Sequence, residues 1–228
     1  MSQSRHKLKQ EEVLIIGVAA ILLAIALINL NFATNDSLNQ ISGNVASRVN
    51  ISSFLAKDCD MVLEPGLNLV SFFCITFDTD KSLVIGNLTN LNAIFEYQEG
   101  SSTDKWKSYN PNLPFYVVQD LSTMSRAEGY WIQMNDVEVL NLSGGLRVPT
   151  TIPLQTGWNL VGYPTNATKQ ANDSFSTVSG GYSEARAFNA TTQAFLSHIP
   201  PATGGLTHTA PGQGFWLNVT NAGVWIVG

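Results

Sequence analysis

The 228-residue chain has a net charge of −5, only 13% charged residues and an abundance of Asn, Ser and Thr. That composition suits the surface of an exported protein better than that of a cytosolic enzyme. It offers no basic stripe to a nucleic-acid partner, and the length accommodates one or two domains.

Residues 1–12 hold Arg5, Lys7 and Lys9 and read as a basic cytoplasmic leader. The apolar run of residues 13–32 opens on Val13 and closes on Phe32, interrupted only by Asn29 and Asn31. About 20 residues at 1.5 Å each match the roughly 30 Å hydrocarbon core, so the run predicts one transmembrane helix and the membrane as a partner. It is too long for a cleaved h-region and lacks a clean small-x-small site behind it, so it reads as a signal anchor. Basic residues stand in front and none follows until Arg48, which puts the N-terminus in the cytoplasm and everything after about residue 33 outside. Residues 33–57 predict an amphipathic helical stalk. Leu38, Ile41, Val45, Val49 and Ser52 recur at helical steps, and the apolar stripe is available for the head or for self-association.

Eight Asn-x-Ser/Thr sequons occur, at Asn35, Asn50, Asn87, Asn141, Asn166, Asn172, Asn189 and Asn218. Roughly three would arise by chance, and all eight fall on the predicted outside, so surface N-glycosylation is expected. Cys59 and Cys74, also outside, are expected to form a disulfide, because that compartment is oxidising. It would fix the junction between helix and head, and too few ligands stand nearby for a zinc site.

The remainder says the same thing twice. Gly66-Leu67-Asn68-Leu69-Val70 answers Gly157-Trp158-Asn159-Leu160-Val161, and Gly129-Tyr130-Trp131 answers Gly214-Phe215-Trp216. Phe95-Glu96-Tyr97 aligns by eye with Ala187-Phe188-Asn189, and Trp106 with Tyr109 aligns with Phe195 and His198. Such a duplication predicts a β-rich repeat 1 over 58–145 and a repeat 2 over 150–228, joined by a linker over 144–153. Each unit reads as a glycine-led strand (67–74; 158–163), a short helix (82–91 after a capping Asp80; 173–178) and a hairpin (94–97 with 106–109; 185–188 with 194–198). An aromatic strand and a closing strand (137–142; 224–227) complete it. The fold class is therefore mainly β, a β-rich tandem repeat with short helices, preceded by one long N-terminal helix whose first part is transmembrane.

These paired motifs resemble the tandem GWNLVG/GYW repeats of secreted, S-layer-associated and cell-surface proteins of archaea and some bacteria. Leu67 departs from that pattern's tryptophan, and Glu128 from its small residue. The resemblance implies an extracellular structural or adhesive part. The layout of the first 55 residues resembles type IV pilins and related archaeal filament subunits. Those are processed after a basic and a small residue, whereas Lys9-Gln10-Glu11-Glu12 fills that place here without a glycine.

No nucleophile elbow, metalloprotease helix, phosphate loop or dinucleotide fingerprint is present, and a non-enzymatic protein without metal or cofactor is expected. His198 aligns with an aromatic and reads as packing. Asp78-Thr79-Asp80 and Asp58-Cys59-Asp60 are carboxylate pairs, the first read as a helix cap rather than a calcium site. Trp106, Tyr130, Trp131, Phe215 and Trp216 are candidate ligand-facing aromatics. Strand alternation sends one of each adjacent pair to the core, and Trp158 is also expected there. Three functions follow: a membrane-anchored envelope glycoprotein displaying a structural or adhesive head; a pilin-like filament subunit; and a carbohydrate- or protein-binding module whose partners are envelope proteins or glycans.

Overall fold

The computed structural model describes residues 56–100, 104–201 and 204–228, which are mainly β with two short helices. The predicted leader, span and sequons Asn35 and Asn50 lie outside the described residues, as does the stalk as far as residue 55. Among the described residues no helix is long and apolar enough to cross a membrane.

Repeat 1 comprises β1 (Ala56–Asp58), β2 (Met61–Leu63), β3 (Gly66–Val70), β4 (Thr79–Asp80), helix α1 (Lys81–Ile85), β5 (Leu91–Tyr97), β6 (Trp106–Tyr109), β7 (Thr123–Met124), β8 (Tyr130–Met134), β9 (Glu138–Leu140) and β10 (Ser143–Gly145). Repeat 2 then follows the same plan. It comprises β11 (Thr150–Leu154), β12 (Gly157–Gly162), β13 (Lys169–Gln170), α2 (Ala171–Phe175), β14 (Tyr182–Asn189), β15 (Ala194–His198), β16 (His208–Thr209), β17 (Gly214–Val219) and β18 (Gly223–Val227). Both four-stranded sheets are antiparallel, ordered β3-β8-β5-β6 and β12-β17-β14-β15. Each is flanked by an outer pair (β2–β9; β11–β18) and a two-residue ladder (β4–β7; β13–β16). The pair β1–β10 belongs to repeat 1 only.

The glycine-led motif owes its spacing to a turn. Gly66 and Gly157 adopt φ of +90° and +97°, a region closed to most side chains, and there the chain reverses from β2 into β3 and from β11 into β12. Two residues on, a buried asparagine holds the turn from inside. Asn68 Oδ1 accepts from the Glu64 amide at 2.9 Å while its Nδ2 donates to the Glu64 carbonyl at 2.8 Å. Asn159 repeats both bonds with Gln155, at 2.9 and 2.8 Å. The Asn in each motif is thus a backbone surrogate.

Several predicted boundaries move for local reasons. The first glycine-led strand ends at Val70 rather than at residue 74, because the next amide, Ser71 N, donates across to Gly212 O of repeat 2. Asp80 does cap α1, accepting from Ser82 N at 2.8 Å. The helix stops at Ile85 rather than at 91, since the Glu138 carboxylate takes the amides of Thr89 and Asn90 and turns the chain into β5. The second helix is Ala171–Phe175 rather than 173–178. The supposed linker over 144–153 is largely strand, in β10 and β11, and the stalk drawn to residue 57 gives way to β1 at Ala56.

The alignment of the hairpins by eye is also off by one residue. Ladder register matches Phe95, which faces Trp131, with Arg186, which faces Trp216; Glu96 then matches Ala187 and Tyr97 matches Phe188. Both sheets carry a bulge at the same place, between Leu91 and Ala93 and between Tyr182 and Glu184. Because side chains alternate along a strand, a slip of one residue exchanges faces, so this correction decides which side chains meet.

Each repeat keeps its own core. In repeat 1, Leu63, Phe72, Ile94, Leu121, Met124 and Tyr130 pack around the Cys59–Cys74 disulfide. In repeat 2, Tyr163, Phe175, Phe215 and Trp225 fill the equivalent space, and Trp225 Nε1 donates to Ser174 O at 2.8 Å. Trp225 lies opposite Ile152 as Leu140 lies opposite Met61, so the larger ring stands where repeat 1 has a leucine. Closing a loop of 15 residues stabilises by about 3 kcal/mol in the chain-entropy model. Replacing both cysteines with alanine is therefore expected to lower unfolding stability by roughly that amount, measured by chemical denaturation. A change well below 1 kcal/mol would show that the packed core holds the segment without the cross-link.

Candidate ligand clefts at the inter-repeat seam

The two repeats are fastened by a reciprocal exchange of backbone bonds. Ser71 N donates to Gly212 O at 2.8 Å, and at the equivalent place Gly162 N donates to Ala127 O at 2.8 Å. Val70 bridges Gln213, as Val161 bridges Glu128. The glycines of the aromatic motif are required by this approach. A Cβ on Gly214 would stand 2.7 Å from the Val70 carbonyl oxygen, and one on Gly129 would stand 2.9 Å from that of Val161. Gln193, at φ +52° in the tip of the β14–β15 hairpin, adds a clamp. Its amide accepts from Leu67 N and donates to Leu67 O, each at 3.0 Å.

Over this frame each repeat lends a tryptophan to the other's hairpin. Trp131 meets Phe188 at 4.9 Å and Phe195 at 5.9 Å, ring centre to ring centre. Trp216 meets Tyr97 at 5.1 Å and Trp106 at 6.0 Å. These tilted and edge-on contacts are the favourable geometries for aromatic pairs. Trp131 and Trp216 are therefore seam residues that also line clefts, and Trp106, 43% exposed, keeps a solvent-facing side. Tyr130 and Phe215 leave the set of ligand-facing aromatics, because both are fully buried in their own repeat's core. Trp158 is corrected the other way: it is half-buried, on the cleft face.

Three clefts open along the seam. One of about 310 Å³ is lined by Tyr97, Trp158, Arg186, Phe195 and Trp216. Its counterpart, about 490 Å³, is lined by Leu67, Phe95, Trp106, Ser108 and Trp131. A third, about 470 Å³, is polar and includes Glu128, Gln98, Glu99, Gln155 and Asn159, with Tyr97 shared with the first. Glu128 and Arg186 are not marked as site residues by the sequence, and Trp158, one of the aromatics that could stack a sugar, is expected there in the core. Comparing the two repeats position by position is the signal that finds Trp158 and Arg186, since Leu67 and Phe95 stand in their places.

The remaining polar groups sort by burial. His198 is fully buried between Phe175 and Tyr182, its ring nitrogens without hydrogen-bond partners among the described residues, and burial holds its pKa below the ordinary range. It packs among aromatic rings and lines none of these three clefts. Arg126 is buried with its guanidinium 4.4 Å from the Phe77 ring, its charge disfavoured by burial and then by Arg147. Among the described residues no cluster of three or more metal-ligating side chains exists. Of the sequons, Asn87, Asn141, Asn166 and Asn172 are exposed, while Asn189 and Asn218 are half-buried on β14 and β17. The loop between β6 and β7 projects Phe115, fully exposed, with Tyr116 and Val118 beside it.

Compared with family models, with characterised proteins and with solved structures, the chain finds no match in any of the three.

Glu128 is a half-buried titratable group lining the polar cleft of the seam. Burial, then repulsion from the nearby Glu96 carboxylate, raises its pKa from 4.5 to about 7. The folded head therefore binds more protons than the unfolded chain between those values. The contribution of this group to stability is greatest below pH 4.5 and is lost as pH rises through 7, by up to about 3 kcal/mol. Glu128→Gln is expected to be more stable than the parent at pH 8 by up to that amount and indistinguishable from it at pH 4, measured by urea denaturation. Equal stabilities at both pH values would place the carboxylate in water.

Proposed function

We propose that the protein is a non-enzymatic, membrane-anchored glycoprotein of the cell envelope that displays its duplicated β-rich head outside the cell as a structural or adhesive part. The observation that supports this best is the placing of the sequons. Asn87, Asn141, Asn166 and Asn172 all stand exposed on the head, where an attached glycan disturbs no core. The Cys59–Cys74 disulfide agrees with an oxidising compartment. The apolar run at 13–32 supplies the anchor, and its flanking charges supply the orientation. A head locked by reciprocal hydrogen bonds and aromatic contacts suits display, since it holds its surface in a fixed shape. The binding-module reading is favoured by one further observation, the aromatic clefts at the seam.

Fractionation of cells expressing the full chain, combined with protease treatment of intact cells, tests the proposal. The chain should pellet with membranes, lose its head to external protease, and shed mass on enzymatic or chemical deglycosylation. A soluble, unglycosylated protein with free thiols would overturn it. A mature N-terminus near residues 8–11 together with filaments in electron micrographs would replace it with the pilin-like reading.

A further inference from the structure

We propose that the cleft over Trp158 is a binding site for an uncharged saccharide, with Trp158 as the stacking platform and the Arg186–Glu184 pair as the hydroxyl-binding rim. The inference deepens the binding-module reading and rests on it; membrane display is a separate matter.

Internal symmetry separates structure from ligand chemistry here. Four positions recur around both aromatic clefts: Trp158 with Leu67, Arg186 with Phe95, Phe195 with Trp106, and Trp216 with Trp131. The last two pairs stay aromatic, as the seam requires. The first two do not, so repeat 1 shows that the fold accepts Leu and Phe there. Glu184 likewise matches Ala93, each facing the equivalent position on its aromatic strand, Asn218 or Gln133. Repeat 2 thus carries a tryptophan, a cation and an anion on one face of the sheet where repeat 1 has three uncharged residues, Leu67, Phe95 and Ala93.

Their geometry suits a pyranose. The Arg186 guanidinium lies 4.8 Å from the Trp158 ring centre, and Trp216 meets Trp158 edge-on at 6.3 Å. The indole is thereby held in one orientation while still lining the cleft. Arg186 Nε and Nη2 donate to the two Glu184 oxygens at 2.7 and 2.9 Å. Ser197 also hydrogen-bonds the carboxylate, which leaves Nη1 and one remaining carboxylate lone-pair site for a ligand. A sugar ring presents a C–H face to an aromatic ring and hydroxyls, both donors and acceptors, at its edge. Because the two rim charges cancel, a charged ligand gains little, which favours a neutral sugar. At about 310 Å³ the cleft lies at the small end of ligand pockets, about 300–1,000 Å³.

The sugar has two possible sources. Asn218 pairs directly with Trp158 across the β12–β17 ladder, so its side chain shares that face. A glycan on this sequon would start beside the platform. The alternative is a saccharide from outside.

The test uses the full chain in a detergent without a sugar headgroup, as parent, Asn218→Gln and Trp158→Leu. The probes are chitobiose, mannobiose, cellobiose and maltotriose, followed by tryptophan fluorescence and calorimetry, with glycopeptide mass spectrometry at Asn218. Trp158→Leu installs the residue that repeat 1 already carries, so the fold is expected to survive, which thermal melting checks. Saturable binding of at least one probe, weakened about tenfold or more by Trp158→Leu, supports the site with an external ligand. A glycan found on Asn218, with probe binding appearing only in Asn218→Gln and weakened by Trp158→Leu, supports it with the protein's own glycan as occupant. Binding unchanged in folded Trp158→Leu overturns this site while leaving the binding-module reading intact. No probe bound by parent or Asn218→Gln overturns the saccharide assignment.

Discussion

The structure depends on two strand ends that cross. Where β3 and β12 finish, each hands a backbone amide to the other repeat, Ser71 to Gly212 and Gly162 to Ala127. Such a bond stabilises by about 1 kcal/mol net, but an unpaired buried amide there would cost more, so the crossing fixes the repeats in one arrangement. The approach is possible only because Gly129, Gly162 and Gly214 have no side chain. A Cβ on Gly162 would lie 2.4 Å from the Arg126 carbonyl oxygen. The glycines of the aromatic motif therefore serve contact between repeats, whereas Gly66 and Gly157 serve turns within them.

From this crossing follow the aromatic exchange and the clefts. With the strand ends fixed, Trp131 and Trp216 can only point into the opposite hairpin, and the spaces beside them become the clefts. The cores contribute less to this arrangement, because each repeat buries its own. They reach similar burial with different chemistry: a cross-link packed by Phe72, Tyr130 and aliphatic side chains on one side, four aromatic rings without a cross-link on the other. Two copies of one plan can diverge inside while the seam between them stays aromatic.

Divergence at the seam itself carries a different meaning. Glu96 is buried where repeat 2 has Ala187, and burial raises its pKa even though Gln98 donates to it at 2.6 Å. The pKa of Glu128 is raised as well, by its own burial and then by the Glu96 carboxylate. On the other flank Trp158, Arg186 and Glu184 replace three uncharged residues. Of these polar groups, Glu128 and Arg186 line clefts at the seam.

Much of this was legible in the chain. The duplication, the mainly β class, the disulfide, the Asp80 cap and the extents of β6 and β15 follow from local signals: repeated letters, paired cysteines, turn residues and alternation. Alternation also says that one of Tyr130 and Trp131 is core. It does not say which, because that depends on which face of the sheet is covered. The one-residue register error between hairpins has a related root: which residue of β5 or β14 faces the aromatic strand is fixed by strand pairing, which the letters alone do not give. Trp158 illustrates the limit most directly. Its sequence setting, a glycine-led apolar strand, is that of a core residue, yet the opposite sheet face and the neighbouring Arg186 leave it at a cleft. Local chemistry determined the elements and their order. Contacts between residues far apart in the chain, such as Ala127 with Gly162 and Ser71 with Gln213, decided the seam, the clefts and the pKa of Glu128, because none of those exists until two distant strands meet.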